Sequence, residues 1–153
     1  MNKQFNVTRT TTSDADFIQL VDKLDSELWN ELNEDMNTYD QYNKVPDIKT
    51  AIIIYDNAVP VAIGCYKEYD AETVEIKRMY VDKAYRGKSI SKLVLKELEQ
   101  WAIENGFQYS ILETSIYFDV AQTLYKRAGY VVIPNYDQYE GLEESICMKK
   151  KLV

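Results

Sequence analysis

Two cations flank a glycine at Arg86-Gly87-Lys88, immediately before an apolar stripe at helical spacing: Ile90, Leu93, Val94, Leu98, Trp101 and Ala102. The first turn of a helix carries unpaired backbone N–H groups and about half a positive charge, so it attracts anions. Glycine lets the main chain come close to such a ligand, and Arg86 and Lys88 add formal charge beside it. The pattern reads either as a phosphate cradle or as a solvated basic turn before an ordinary helix. The chain as a whole carries 25 acidic against 18 basic residues, a net charge of -7. That balance repels nucleic acid and leaves a small phosphorylated ligand as the better match to a local basic cluster.

Histidine is absent. Ser-His-Asp and Cys-His mechanisms are therefore excluded, as are zinc sites built on imidazole. Acid–base chemistry falls to carboxylates, tyrosine, lysine or water. Cys65 and Cys147 fit no metal-ligand spacing and read as two isolated buried thiols, so no metal is expected. No run of 18 apolar residues occurs, and Met1-Asn-Lys-Gln-Phe-Asn-Val-Thr lacks the apolar block of a signal peptide. The expectation is a cytoplasmic protein that uses neither membrane nor nucleic acid.

The elements that must position these residues follow from periodicity. With 153 residues, 46% hydrophobic and without repeats or linkers, the chain reads as one domain over 1–153. Phe5 to Thr10 alternates as a first strand. Ser13-Asp14 caps a helix whose apolar face is Phe17, Leu20, Val21, Leu24, Leu28 and Leu32, and whose pattern dissolves between Asn33 and Tyr42. Ala51 to Tyr55, Val59 to Tyr69 and Glu72 to Val81 form an antiparallel meander, the first two joined by Asp56-Asn57. A helix over Ser89 to Glu104 stops at Asn105-Gly106. Tyr109 to Thr114 is a covered central strand, and a short helix with Val120, Ala121, Leu124, Tyr125 and Ala128 on one face ends at Gly129. Tyr130 to Ile133 and Ser145 to Lys150 close as a hairpin around Pro134 to Glu144. The fold class is α/β, a mixed, mostly antiparallel central sheet with helices on both faces.

In this order the pieces resemble the GNAT superfamily of acetyl-coenzyme A-dependent N-acyltransferases, most densely from Glu75 to Tyr130. That family joins a strand ending in apolar-x-Val to an Arg/Gln-x-x-Gly-x-Gly/Ala loop that opens a helix. Here the strand end is Met79-Tyr80-Val81 and the loop is Arg86-Gly87-Lys88-Ser89-Ile90-Ser91. Its second signature, Leu-Tyr shortly before Gly-aromatic, stands as Leu124-Tyr125 before Gly129-Tyr130, and Leu112-Glu113-Thr114 matches its fifth strand end. Ser89 and Ser91 replace the two later loop glycines. Serine at helical φ/ψ is sterically acceptable, so the expectation is weakened rather than abolished binding. Asp119, at a position often Asn in relatives, is expected to cap the later helix.

The resemblance implies acetyl-CoA as acyl donor. It implies that the backbone of Met79 and Val81, around Tyr80, pairs with pantetheine, where the strands from Glu75 and Tyr109 start parallel and splay. Arg86, Gly87, Lys88, Ser89, Ile90 and Ser91 would hold the pyrophosphate, with Asp119 near the cofactor. Glu75 lies where relatives often carry the general base. A carboxylate there, directly or through water, can take the proton that an amine must lose, although a strand-edge Glu paired with Lys77 or Arg78 would look the same. Tyr125 takes the position that protonates the leaving thiolate, with phenol and thiol nearly matched at about 10 and about 8.5; the alternative is a core tyrosine. The acceptor would be a small-molecule amine or a peptide amine, bordered by Glu27, Glu31, Glu34, Asp35 and Asp40 with Trp29, Tyr39 and Tyr42, and by the loop from Pro134 to Glu140. Direct transfer in a ternary complex is one reading, and a non-catalytic acyl-CoA-binding module is the other. A homodimer is the default assembly.

Overall fold

The computed structural model describes residues 5–32 and 47–153, with side chains omitted for 29–32. Strand β1 (Asn6–Thr10) leads into helix α1 (Ala15–Leu32), followed by β2 (Ala51–Asp56), β3 (Val59–Glu68) and β4 (Thr73–Val81). Helix α2 (Ile90–Glu104), β5 (Tyr109–Ser115), α3 (Asp119–Arg127), β6 (Val131–Ile133) and β7 (Ser145–Lys151) complete the order. The described strands form a sheet in the order β1-β2-β3-β4-β5-β7-β6. β1–β2, β2–β3, β5–β7 and β6–β7 are antiparallel, and the pair β4–β5 is parallel. The expected elements are present, with ends shifted by a residue or two.

Two compact units make up the chain. The first comprises residues 1–67 and 77–98. Its core is Phe17 and Leu20 of α1 packed with Ala51, Ile53, Ile63, Cys65 and Tyr80. Strand side chains alternate between faces, so Ile63 and Cys65 turn one side of β3 towards α1 and Gly64 turns the other away. A Cβ at Gly64 would lie 2.7 Å from Val94 Cγ1 and 2.9 Å from Leu98 Cδ1, so α2 packs directly against this backbone. The helices thus cover opposite faces of β3. Lacking a side chain is what lets Gly64 admit α2 so closely.

Within β4, Arg78 adopts φ 57°, a left-handed conformation in the middle of a strand. Such a residue breaks the two-residue alternation. Its guanidinium is held by Asp25 of α1 at 2.7 Å.

The second unit comprises residues 68–76 and 99–153. β4 begins beside β5 over Thr73–Glu75, paired with Tyr109–Ile111, and β5 pairs with β7 along its whole length. Tyr130 donates a 2.9 Å hydrogen bond to Glu99 and lies 2.7 Å from Ser110 Oγ, while Lys150 reaches Glu99 at 2.8 Å. This network satisfies polar groups that burial would otherwise penalise. Cys65 and Cys147 are buried thiols outside any disulfide, as expected.

Candidate active site

The phosphate-cradle segment lies in the first unit. Asp82 caps a short 3-10 turn (Lys83–Tyr85) by accepting from the Ala84 N–H at 3.1 Å, and the chain then enters α2 through Arg86 to Ser89. Gly87 adopts φ 79° and Ser89 φ 63°. Among the described residues, no backbone or side-chain oxygen accepts from the N–H groups of Gly87, Lys88, Ser89, Ile90 or Ser91. Five consecutive unclaimed donors at the start of a 15-residue helix fit a diphosphate. The exposed surroundings of Gly87, where an added Cβ would meet nothing within 4 Å, leave room for it.

Two expectations change here. The helix begins at Ile90, one residue later than its periodicity suggests, so Ser89 is left-handed rather than helical. The position therefore favours glycine, and its serine carries conformational strain. Arg86 is also engaged: Nη2 reaches Glu27 Oε2 at 2.6 Å, Nε donates to the Val81 carbonyl at 2.9 Å, and the guanidinium lies 5.5 Å from the Tyr80 ring centroid. Burial and the neighbouring Glu27 push the Tyr80 phenol up to about 12, so it stays protonated and donates to Glu27 at 3.0 Å. Glu27 and Asp25 thus neutralise cations of the cradle and of β4. Of the other acceptor-border residues, the side chains of Trp29 and Glu31 and all of Glu34, Asp35, Tyr39, Asp40 and Tyr42 lie outside the described residues.

Glu75, Tyr125 and Asp119 belong to the second unit. The Glu75 carboxylate is only 2% exposed and accepts a 2.8 Å hydrogen bond from the Tyr136 hydroxyl. Tyr136 makes edge-on ring contacts with Tyr69 and with Tyr139, each with centroids 5.5 Å apart. On β5, Glu113 accepts from Ser145 Oγ at 2.6 Å and stands opposite Cys147 in the β7 register. Burial raises the Tyr136, Tyr139 and Cys147 protons, and the charges of Glu75 and Glu113 push the Tyr139 phenol and the Cys147 thiol the same way. The thiol is pushed up to about 11, so Cys147 is a protonated, buried, non-nucleophilic group at neutral pH. Glu75 is therefore no surface ion pair with Arg78, which belongs to Asp25.

Tyr125 is buried on α3, with its ring 5.9 Å from that of Tyr130. Among the described residues its hydroxyl has no hydrogen-bond partner. Burial first, then the charge of Glu113, raises its proton affinity well above that of a free phenol. The near match between phenol and thiol expected from reference values is lost, unless burial lifts a neighbouring thiol as well. Asp119 does not cap α3. Phe118 occupies the cap position without a side-chain bond, and Asp119 only adds negative charge to the first helical turn.

Sequence placed Tyr136 and Tyr139 in the loop bordering the acceptor, but not the hydrogen bond from Tyr136 to Glu75 or the position of Glu113 opposite Cys147. The late-loop tyrosines and the strand-end Glu were visible, but their convergence depends on pairing across 61 residues, from Glu75 to Tyr136.

Comparison with known proteins identifies the family. The pattern of the acetyltransferase (GNAT) family matches residues 15–130. The chain is 30% identical over 106 residues to a Xenopus tropicalis protein named probable N-acetyltransferase 14, covering 69% of this chain and 50% of that one. It is 28% identical over 109 residues to human N-acetylaspartate synthetase, covering 71% of this chain and 36% of the relative. The chain thus spans between a third and a half of the length of these relatives. Among solved structures, a protein from Klebsiella pneumoniae assigned as an acyl-CoA N-acyltransferase superposes with a TM-score of 0.81 and 27% identity, covering 99% of this chain and 100% of that one. A GNAT family acetyltransferase from Elizabethkingia anophelis with acetyl-CoA bound shares the fold at a TM-score of 0.71 and 15% identity, over 98% of this chain and 99% of that one.

Proposed function

Because the chain belongs to the acetyltransferase (GNAT) family, we propose that residues 1–153 act as one N-acetyltransferase domain, moving an acetyl group from acetyl-CoA directly to a primary amine. The observation that carries this reading is the run of unclaimed amides from Gly87 to Ser91 at the start of α2. They would hold the pyrophosphate, with Lys88 beside them and Met79 and Val81 offering backbone groups to pantetheine. Acetyl-CoA supplies an activated thioester.

The chain's own residues would do the rest. Glu75, directly or through water, takes the proton that the amine nitrogen releases as it bonds to the acetyl carbon. The carbon–sulfur bond breaks, and Tyr125 delivers its phenolic proton to the departing sulfur. Its raised proton affinity keeps it loaded at neutral pH. An acyl-enzyme on Cys147 is disfavoured, because a buried thiol raised to about 11 offers almost no thiolate.

The test is Tyr125→Phe, followed by thiol release from acetyl-CoA with a panel of amines. The hydroxyl has no partner among the described residues, so its removal should leave Tm within a degree or so while kcat falls by about 10²-fold. Acetyl-CoA affinity should stay within about twofold, since the proton moves only as the thiolate develops. A mutant retaining most of its kcat would remove Tyr125 from the mechanism. A wild-type protein that binds acetyl-CoA but releases no thiol with any amine would favour the binding-module reading.

A further inference from the structure

No polar contact among the described residues fixes the direction of the Tyr125 hydroxyl. Among those residues every fully buried side-chain nitrogen or oxygen has a hydrogen-bond partner. The Tyr125 hydroxyl has none, so it is not one of the fully buried atoms, although only 7% of the residue is exposed. Its oxygen opens on accessible space, as a group that passes a proton to a ligand must. The same freedom makes its aim depend on what packs against the ring.

Tyr130 meets that ring edge-on, with centroids 5.9 Å apart and an angle of 66° between the planes. Its backbone N–H donates to the Tyr125 carbonyl at 3.0 Å, a return over the helix end that Gly129 permits at φ 105°. Tyr130 therefore touches Tyr125 through both ring and main chain.

The far end of Tyr130 is anchored. Ser110 and Lys150 stand opposite each other in the β5–β7 register and face the same side. The Tyr130 hydroxyl donates to Glu99 Oε2 at 2.9 Å and lies 2.7 Å from Ser110 Oγ, while Lys150 Nζ holds the other Glu99 oxygen at 2.8 Å. The Lys150 stem runs past Gly129, where a Cβ would lie 3.5 Å from Lys150 Cε. Burial first, then the charge of Glu99, raises the proton affinity of Tyr130 far above that of a free phenol, so it remains a donor. Filling the space beside Tyr125 would need only a phenylalanine. A buried carboxylate carries a desolvation cost that an apolar core avoids, and what it adds here is a fixed ring position, set jointly by α2, β5 and β7.

We propose that Tyr130 is a positioning residue for the transfer reaction: anchored by Glu99, Ser110 and Lys150, it fixes the direction of the Tyr125 hydroxyl. The inference rests on the reading of Tyr125 as the acid.

The experiment compares Tyr125→Phe, Tyr130→Phe and the double variant in the full chain, by thiol release from acetyl-CoA with the amine panel. Tyr130→Phe keeps the ring and deletes the anchored hydroxyl. A misaimed acid loses part of its effect, so kcat should fall by about tenfold while KM for acetyl-CoA stays within about twofold. The double variant should match Tyr125→Phe within about twofold, because a hydroxyl already removed cannot be misaimed. Ser110→Ala, which deletes one contact of the anchor, should show the same pattern at about threefold, and replaces Tyr130→Phe in the cycle if circular dichroism shows that variant unfolded. NMR of isotope-labelled tyrosine supplies a readout independent of turnover. The Tyr125 resonance, identified by its loss in Tyr125→Phe, should be a single sharp line in the wild type and broaden in Tyr130→Phe. Wild-type kcat in the folded anchor variant, losses that multiply in the double variant, or an unchanged Tyr125 line would each overturn the inference. A broadened line together with wild-type kcat for Tyr125→Phe would uphold positioning by Tyr130 and overturn the acid role of Tyr125. For a wild type without turnover the line alone decides.

Discussion

Ser89→Gly should make this protein more stable, at a position where a helical backbone would have made serine sterically acceptable. Ser89 sits at φ 63°, immediately before α2. An L-residue held left-handed costs roughly 1–2 kcal/mol, which glycine avoids. Glycine gives back roughly 0.5–1 kcal/mol through the greater freedom of the unfolded chain. The net gain is about 0.5–1 kcal/mol, or a rise in Tm of about 1–4 °C for a chain of this size. Gly87→Ala provides the opposite control. Its φ is 79° and a new Cβ would meet nothing within 4 Å, so the backbone cost, offset in part by alanine's smaller freedom in the unfolded chain, leaves about 0.5–1 kcal/mol and Tm should fall by about 1–4 °C. Thermal melting followed by circular dichroism reads both. Calorimetry with acetyl-CoA should show Ser89→Gly within about twofold of wild type, because the amides rather than the hydroxyl hold the phosphates. A lower Tm for Ser89→Gly, or an unmoved Tm for Gly87→Ala, would refute the strain argument. A fivefold loss of affinity, about 1 kcal/mol, would show instead that the hydroxyl donates a hydrogen bond to the ligand.

Two further outcomes follow from the same geometry. Glu27 holds Arg86 at 2.6 Å, so Glu27→Gln should release that cation and tighten acetyl-CoA binding by about three- to tenfold at low salt, fading as salt rises; Arg86→Ala should weaken it, and unchanged affinity in both would exclude Arg86 from the cradle. At alkaline pH, Cys147 carries a stability term of known sign: the folded thiol is raised to about 11 from an ordinary value of 9.0, so the fold holds this proton more tightly than the unfolded chain does. Its contribution is complete below about pH 9 and lost as pH rises towards 11. Cys147→Ala should therefore flatten the fall in denaturation midpoint across that window, and an identical slope in mutant and wild type would discount the thiol.

Local pattern was enough to identify the elements and the cradle. A helix is written in residues three and four apart and a strand in alternate residues, so Ile90, Leu93, Val94 and Leu98, or the apolar run from Ala51, declare themselves within a dozen positions. The order of those elements, with Arg86 to Ser91 and Leu124-Tyr125, also pointed to the family. Backbone conformation at element ends was less accessible. Periodicity cannot tell whether Ser89 is the first residue of α2 or the last before it, yet that single step changes its φ from helical to left-handed. Nothing local marks Arg78 as left-handed within β4, since Asp25, which holds its side chain, lies 53 residues away.

Tertiary structure alone decided which charges meet. Arg86 was legible as a phosphate ligand because its neighbours in sequence suit that role, whereas its partner Glu27 comes from a helix 59 residues earlier. Glu75 was legible as a candidate base, but its burial, its bond to Tyr136 and its shared face with Glu113 depend on strand register. A shift of one residue would turn each of those side chains to the opposite face. The sequence determined which chemical groups were available and on which elements they lie. Pairing of β4 with β5, and of β5 with β7, determined which side chains share a face with Glu75.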